Sequence, residues 1–229
     1  MPERLAHNSP FPEFTELKYG DRIFAVNQPG FPEGKLVRRM SFPDPEKFGE
    51  GEAFEPESRI KNVRQAMTDL KTYGVEVLPA DYVIGRDREK QAIYEVVDEV
   101  EGVFLDYGQK LPKEALPQLD SQLTGFLNYY QAFSKNPRRV IYDDYKARQL
   151  VYGHKKGSIE ADRVMLFDVG VENATDIEKR NFSGVRLERY LDLQVAKIAN
   201  SLDLLEGLFE PKGVLAKTRE KLAQLAKAA

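Results

Sequence analysis

The sequence predicts an α+β chain in which a small antiparallel sheet with one helix precedes a mainly helical half. Three observations carry that expectation. Short apolar runs at 14–18, 22–26 and 35–40 are separated by the turn signals "YGD" and "NQPGFPEG", the pattern of a strand meander. One segment of helical periodicity, "SRIKNVRQAMTDLKTY", is followed by a second pair of strand-like runs in "DYVIGRDREKQAIYEVVDEV". Beyond Gly102 the chain turns to wide apolar stripes at i, i+3, i+4 and i+7, which is the patterning of packed helices.

Each element can be justified in turn. The linking stretch "SFPDPEKFGEGEAFEPE" is rich in proline, glycine and acid and reads as a connection. The first helix sets Ile60, Val63, Met67 and Leu70 on one face and closes at Gly74. Leu116, Leu119, Leu123, Phe126, Leu127, Tyr130 and Phe133 define a second helix, whose aromatic run "FLNYYQAF" reads as core. A polar hairpin is expected from 149–152 and 163–167, with "GHKKGSIEA" as its loop. Leu187, Leu191, Val195, Ile198, Leu202 and Leu205 make a long third stripe, and "PKGVLAKTREKLAQLAKAA" an amphipathic, basic terminal helix. The order divides the chain into a β-rich lobe, residues 1–101, and a helical lobe, residues 102–229, with a cleft expected where they join.

Composition excludes several functions. A chain of 229 residues with 41% hydrophobic content can bury one sizeable core or two small ones. With 34 basic and 37 acidic residues the net charge is −3, so no nucleic-acid or membrane partner is advertised. The absence of cysteine removes disulfides, thiolate metal ligands and a cysteine nucleophile, and favours an intracellular home. "MPERLAHNSPFPEF" has no apolar signal-peptide run, and no segment approaches the roughly 18 apolar residues of a membrane helix, so a soluble cytoplasmic protein is expected. His7 and His154 are the two histidines, far apart, and both read as exposed polar residues rather than metal ligands. "GHKKGS" reads as a solvated turn, with anion binding as the rival role.

Three stretches carry candidate chemistry. In "DYKARQLVYG", Asp144, Lys146 and Gln149 place a carboxylate, a cation and an amide oxygen within one short loop. In "RVMLFDVG", an apolar strand ends on Asp168, Val169 and Gly170; a carboxylate at a strand end can hold a cation, and the glycine lets the backbone turn beside it. "YEVVDEVEGVFL" lies where the two halves join.

Together these stretches resemble the protein-kinase-like phosphotransferases, a superfamily that includes aminoglycoside, choline and lipopolysaccharide kinases. The resemblance covers most of the chain as an order of elements. It implies a two-lobed fold that binds ATP and Mg²⁺. Asp144 would accept the substrate hydroxyl proton, Lys146 would neutralise the γ-phosphate, and Gln149 and Asp168 would hold the magnesium. Val97 would stand near the gatekeeper position, and the backbone of Asp98 and Val100 would face an adenine. The third-strand lysine of the family is replaced by Arg38 or Arg39, of which Arg39 is the first choice and Lys35 the fallback. Gln65 falls in the slot of the helix glutamate, with Glu57 and Asp69 as rivals.

The departures are specific. Tyr142 and Asp143 precede Asp144 where the family has His-Arg or His-Gly, Gln149 replaces asparagine, and "KYGDR" offers one glycine in place of a glycine-rich phosphate loop. The interval from Asp168 to the helix near Val185 is too short for a peptide-docking segment, which points to a small-molecule hydroxyl as acceptor. The partners implied are a nucleotide and a small-molecule substrate. The alternative is a pseudokinase, nucleotide-binding or nucleotide-free, acting as a scaffold for a protein partner. A third reading takes the motif matches as accidental, in a helical interaction protein.

Overall fold

The computed structural model describes residues 23–25, 35–40, 56–87, 90–105, 109–135, 140–142, 145–167, 171–173 and 187–228. The chain is α+β and divides into two compact units: residues 1–61 with 79–100, and residues 62–78 with 101–229.

The first unit holds a four-stranded antiparallel sheet of β1 (Ile23–Ala25), β2 (Lys35–Met40), β3 (Ala80–Asp87) and β4 (Lys90–Asp98), in the order β1-β2-β4-β3. β4 is central, pairing with β2 from Lys35↔Asp98 to Met40↔Ile93 and with β3 from Ala80↔Val97 to Asp87↔Lys90. Its run Ile93, Tyr94, Glu95, Val96, Val97 is buried throughout, which explains why the sequence there is apolar on successive residues rather than alternating. The one carboxylate in that run, Glu95, accepts a hydrogen bond from the Tyr82 hydroxyl at 3.1 Å. The expected strand at 14–18 and residues 41–55 of the expected connection lie outside the described residues.

Helix α1 (Pro56–Thr72) begins with proline in its first turn beside Glu57, both favourable at a helix N-terminus. It ends in a Schellman motif. The Val75 N–H reaches the Leu70 carbonyl at 3.1 Å, the Gly74 N–H reaches that of Lys71 at 3.0 Å, and Gly74 takes φ 82°. Glycine is required there because a Cβ would strain that backbone.

The second unit is organised around α2 (Ala115–Lys135), which packs against α3 (Leu187–Glu206), α4 (Ala216–Ala228) and β8 (Arg163–Leu166). The apolar stripe expected of α2 is buried, with Leu119, Leu123, Phe126 and Leu127 fully so. The hairpin pairs β7 (Leu150–Lys155) with β8 from Leu150↔Leu166 to Gly153↔Arg163, and β5 (Val100–Phe104) adds a third strand beside β7. β6 (Val140–Tyr142) and β9 (Val171–Asn173) form a separate antiparallel pair.

Residues 73–78 are held in this unit by hydrogen bonds and a strand bridge. Val77 bridges Leu166, the Leu78 N–H reaches the Leu166 carbonyl at 2.9 Å, and the Leu166 N–H reaches the Glu76 carbonyl at 2.8 Å. From α2, the Gln122 carboxamide accepts from the Glu76 N–H at 2.8 Å and donates to the Glu76 carbonyl at 2.7 Å. One turn earlier, Gln118 accepts from the Val164 N–H at 3.0 Å. Two amides at i and i+4 on one helix face thus satisfy backbone groups that a neighbouring strand would otherwise take.

Residues 100–104 form β5, a strand the sequence pattern does not mark, and one expectation is corrected. The terminal helix starts at Ala216 rather than Pro211, because Glu206 holds the stretch before it: the Gly213 N–H bonds the Glu206 carbonyl at 3.1 Å and the Leu215 N–H bonds Glu206 Oε1 at 3.0 Å. Among the described residues no helix is long and apolar enough to cross a membrane.

Candidate site at the β6–β7 turn

The stretch between β6 and β7 is where the candidate residues concentrate. Val140, Ile141 and Tyr142 are all buried, so β6 is a fixed support and not a surface strand. The Tyr142 ring stacks on Phe126 of α2, with centroids 5.6 Å apart and planes 24° apart, and its N–H donates to the Tyr129 hydroxyl at 2.9 Å. In register, Tyr142 pairs with Val171 of β9.

Tyr145 is the second anchor. It is buried, its ring meets Phe126 edge-on at 5.3 Å, and its hydroxyl lies 3.2 Å from Ser201 Oγ of α3. Ser201 Oγ donates to the Ile198 carbonyl at 2.8 Å, so the Tyr145 hydroxyl is the donor toward it. Burial pushes the phenol far above its ordinary range, and the group stays neutral.

Lys146 follows, half-buried and extended at φ −142° and ψ 135°, and caps a 3₁₀ turn, Ala147–Gln149. Gln149 ends that turn and is 9% exposed. Its N–H bonds the Lys146 carbonyl at 2.9 Å, its carbonyl accepts from the Phe167 N–H at 2.8 Å, and its Oε1 accepts from the Tyr142 hydroxyl at 3.1 Å. Phe167, next to Asp168 in sequence, rests edge-on against Phe104 at 5.6 Å.

The other candidates fall as follows. Asp144 and Asp168 lie outside the described residues. Val97 is buried in β4, opposite Leu36 and Ala80. Asp98 ends β4 and pairs with Lys35, the fallback cation, at 2.5 Å. Val100 is the first residue of β5 and half-buried. In the β2–β4 register Arg38 stands opposite Glu95 and Arg39 opposite Tyr94. On α1, Gln65 donates to Asp69 Oδ1 at 3.0 Å; Asp69 is buried, and Glu57 is exposed in the first turn. The structure therefore brings Lys146 and Gln149 together with Tyr142 and Phe167, the residues flanking the two aspartate segments.

The tyrosines were the missed residues. A sequence signal for Tyr145 exists in retrospect: a large ring between Asp144 and Lys146, in an otherwise charged run, marks an inward anchor.

His154 also departs from expectation. Its side chain is only 27% exposed, with Nδ1 2.6 Å from Asp162 Oδ1 and Nε2 3.5 Å from Glu101 Oε2. The Asp162 hydrogen bond raises its pKa most; partial burial opposes, and the charges of Asp162 and Glu101 add to the rise. A folded-state pKa above the unfolded value stabilises the chain fully below about pH 6.5, and that stabilisation is lost as pH rises through the folded value. His154→Gln is expected to flatten the fall in melting temperature as pH rises above about 6.5; an unchanged pH profile in that variant would refute the coupling.

No protein-family model matches the chain, and no curated protein shows significant similarity to it.

Proposed function

We propose that the chain is a divergent ATP- and magnesium-dependent phosphotransferase acting on a small-molecule hydroxyl. The observation that carries this reading is the pairing of Tyr142 with Val171. The segment bearing Asp144 leaves that pair on one strand, and the segment bearing Asp168 enters it on the other. The bond from the Phe167 N–H to the Gln149 carbonyl supports the reading from the opposite end, since it ties the residue before Asp168 to the turn that starts at Lys146.

In this reading the substrate oxygen forms its bond to the γ-phosphorus as the bond to the ADP oxygen breaks, and Asp144 takes the hydroxyl proton. Lys146 neutralises charge on the transferred group. Magnesium would supply charge neutralisation between phosphates. Gln149 fits it poorly, because the residue is 9% exposed and its carboxamide oxygen is turned onto the buried Tyr142 hydroxyl; Asp168 is the carboxylate that would hold the ion.

Thermal unfolding with ATP, ADP and GTP, each with and without Mg²⁺, tests the reading. A ligand at a hundredfold excess over Kd adds about 2.7 kcal/mol to stability, or about 5–10 °C for a chain of this size. The expected result is a magnesium-dependent rise that Asp168→Ala loses while keeping the ligand-free melting temperature. A wild-type rise in that variant sinks the assignment.

The engagement of Gln149 by Tyr142 also favours a second reading, a pseudokinase scaffold that keeps the architecture without turnover. Phosphoryl transfer that disappears in Asp144→Asn would rule it out; no shift with any nucleotide would support it.

A further inference from the structure

The two segments that carry Asp144 and Asp168 are flanked by Tyr142, Lys146, Phe167 and Val171. Three of these four meet on one side chain and its backbone. Gln149 receives the Tyr142 hydroxyl on Oε1 at 3.1 Å, donates its N–H to the Lys146 carbonyl at 2.9 Å, and accepts the Phe167 N–H on its carbonyl at 2.8 Å. The fourth, Val171, is the register partner of Tyr142.

The Tyr142–Gln149 bond is dry, since Tyr142 is 0% and Gln149 9% exposed. A buried hydrogen bond is electrostatically stronger than one in water, and orphaning either partner costs its full desolvation. The Tyr142 ring cannot swing away to find another acceptor, because Phe126 stacks on it and the Tyr129 hydroxyl holds its backbone N–H. A phenol has a single proton to give, and here it turns the ligating atom of Gln149 inward onto a 0% exposed side chain, away from where a hydrated cation could reach it.

We infer that Gln149 is a positioning residue and not a magnesium ligand: its carboxamide fixes the strand end from which Asp143 and Asp144 depart, and its backbone fixes Lys146 and the residue before Asp168. The metal half of this inference rests on the phosphotransferase reading; the positioning half stands without it.

The test uses Tyr142→Phe, Gln149→Leu, the double variant and Gln149→Asn, all in ligand-free full-length protein. Each single change is expected to lower the melting temperature by about 2–4 °C, and the double variant to fall no further than the worse single, the mark of a shared interaction. Hydrogen exchange is expected to speed up in peptides spanning 142–149 and 167–171 while α2 keeps its protection. Gln149→Asn, one methylene short of Tyr142, should behave as Gln149→Leu does. Additive losses, exchange that rises evenly along the chain, or a wild-type Gln149→Asn would each overturn the positioning role.

The metal half is read from Mn²⁺ binding in the presence of ADP, followed by electron paramagnetic resonance. The same Kd in Gln149→Leu as in Tyr142→Phe is expected, because each change removes the same bond and neither removes a ligand. Loss of binding in Gln149→Leu with retention in Tyr142→Phe makes Gln149 a ligand and overturns it. A wild-type protein that binds no Mn²⁺ with ADP refutes the phosphotransferase reading, while the ligand-free coupling and exchange results still decide the positioning role.

Discussion

Replacing Gly153 by alanine lowers the stability of the chain by about 3 kcal/mol or more, and its melting temperature by about 6–12 °C. The cause is space and not backbone conformation. β5 and β7 approach each other at two glycines, and a Cβ on Gly153 would lie 2.6 Å from the Gly102 Cα and closer still to the Glu101 carbonyl oxygen. A Cβ on Gly102 meets the same wall from the other side, 2.8 Å from the Gly153 Cα and closer to the Tyr152 carbonyl. Both obstacles are backbone, which cannot rotate away as a side-chain tip can, so relief requires β5 to part from β7. That movement also pulls on the Leu105 N–H to Leu150 carbonyl bond at 3.1 Å, adjacent to Gln149. Gly157→Ala is the contrast: its φ of 74° strains an alanine, yet nothing lies within 4 Å of the new Cβ, and about 1 kcal/mol is expected. Urea unfolding of the two variants decides between them; a Gly153→Ala chain as stable as wild type would mean the strands can separate freely.

Those glycines also show what the sequence discloses and what it hides. Local periodicity was enough for α1, α2 and α3 and for the β3–β4 and β7–β8 hairpins, because burying one face imposes a repeat on the sequence. Gly74 was legible as a stop because a Schellman turn needs a left-handed residue at one fixed place. β5 was not, since "VEGVF" is five residues interrupted by glycine, and the reason for that glycine is a strand some fifty positions away in the chain. β9, three residues long, carries no pattern at all and exists through its pairing with β6.

At the candidate site the spacing of Asp144, Lys146 and Gln149 was readable, as was the strand running up to Phe167. The wiring was not. Gln118, Gln122 and Gln149 look interchangeable as polar residues in the sequence, yet the first two bond distant backbone and the third a buried phenol. Side-chain bonds across large sequence separations leave no local trace, so tertiary partners, not composition, decide what each amide does.

The same principle sets the second large effect, at the start of α4. Its flanking residue, Leu215, has no side-chain acceptor, so the helix cannot cap itself in the usual way. Asp120 of α2 takes that role: its carboxylate accepts from the Lys217 N–H at 3.0 Å, the Thr218 N–H at 2.9 Å and the Thr218 hydroxyl at 2.7 Å. Asp120 is 7% and Thr218 0% exposed, so water cannot replace a lost partner, and a negative charge is well placed at a helix N-terminus. Close by, Glu206 receives the Leu215 N–H and a two-point clasp from Arg219, with both of the clasp's bonds at 2.7 Å. The Arg219 bonds hold the Glu206 carboxyl below its ordinary value, outweighing burial, with help from the Leu215 N–H. This clasp leaves α4 docked when Asp120 is changed, so the cost is confined to the orphaned donors. Asp120→Ala is therefore expected to cost about 3 kcal/mol, and Asp120→Asn, which keeps one acceptor, about half of that. Denaturant unfolding should show a lowered midpoint with an unchanged slope for both. A lowered slope would instead mean that α4 has come away, and an Asp120→Ala midpoint equal to wild type would show that the carboxylate caps nothing of consequence.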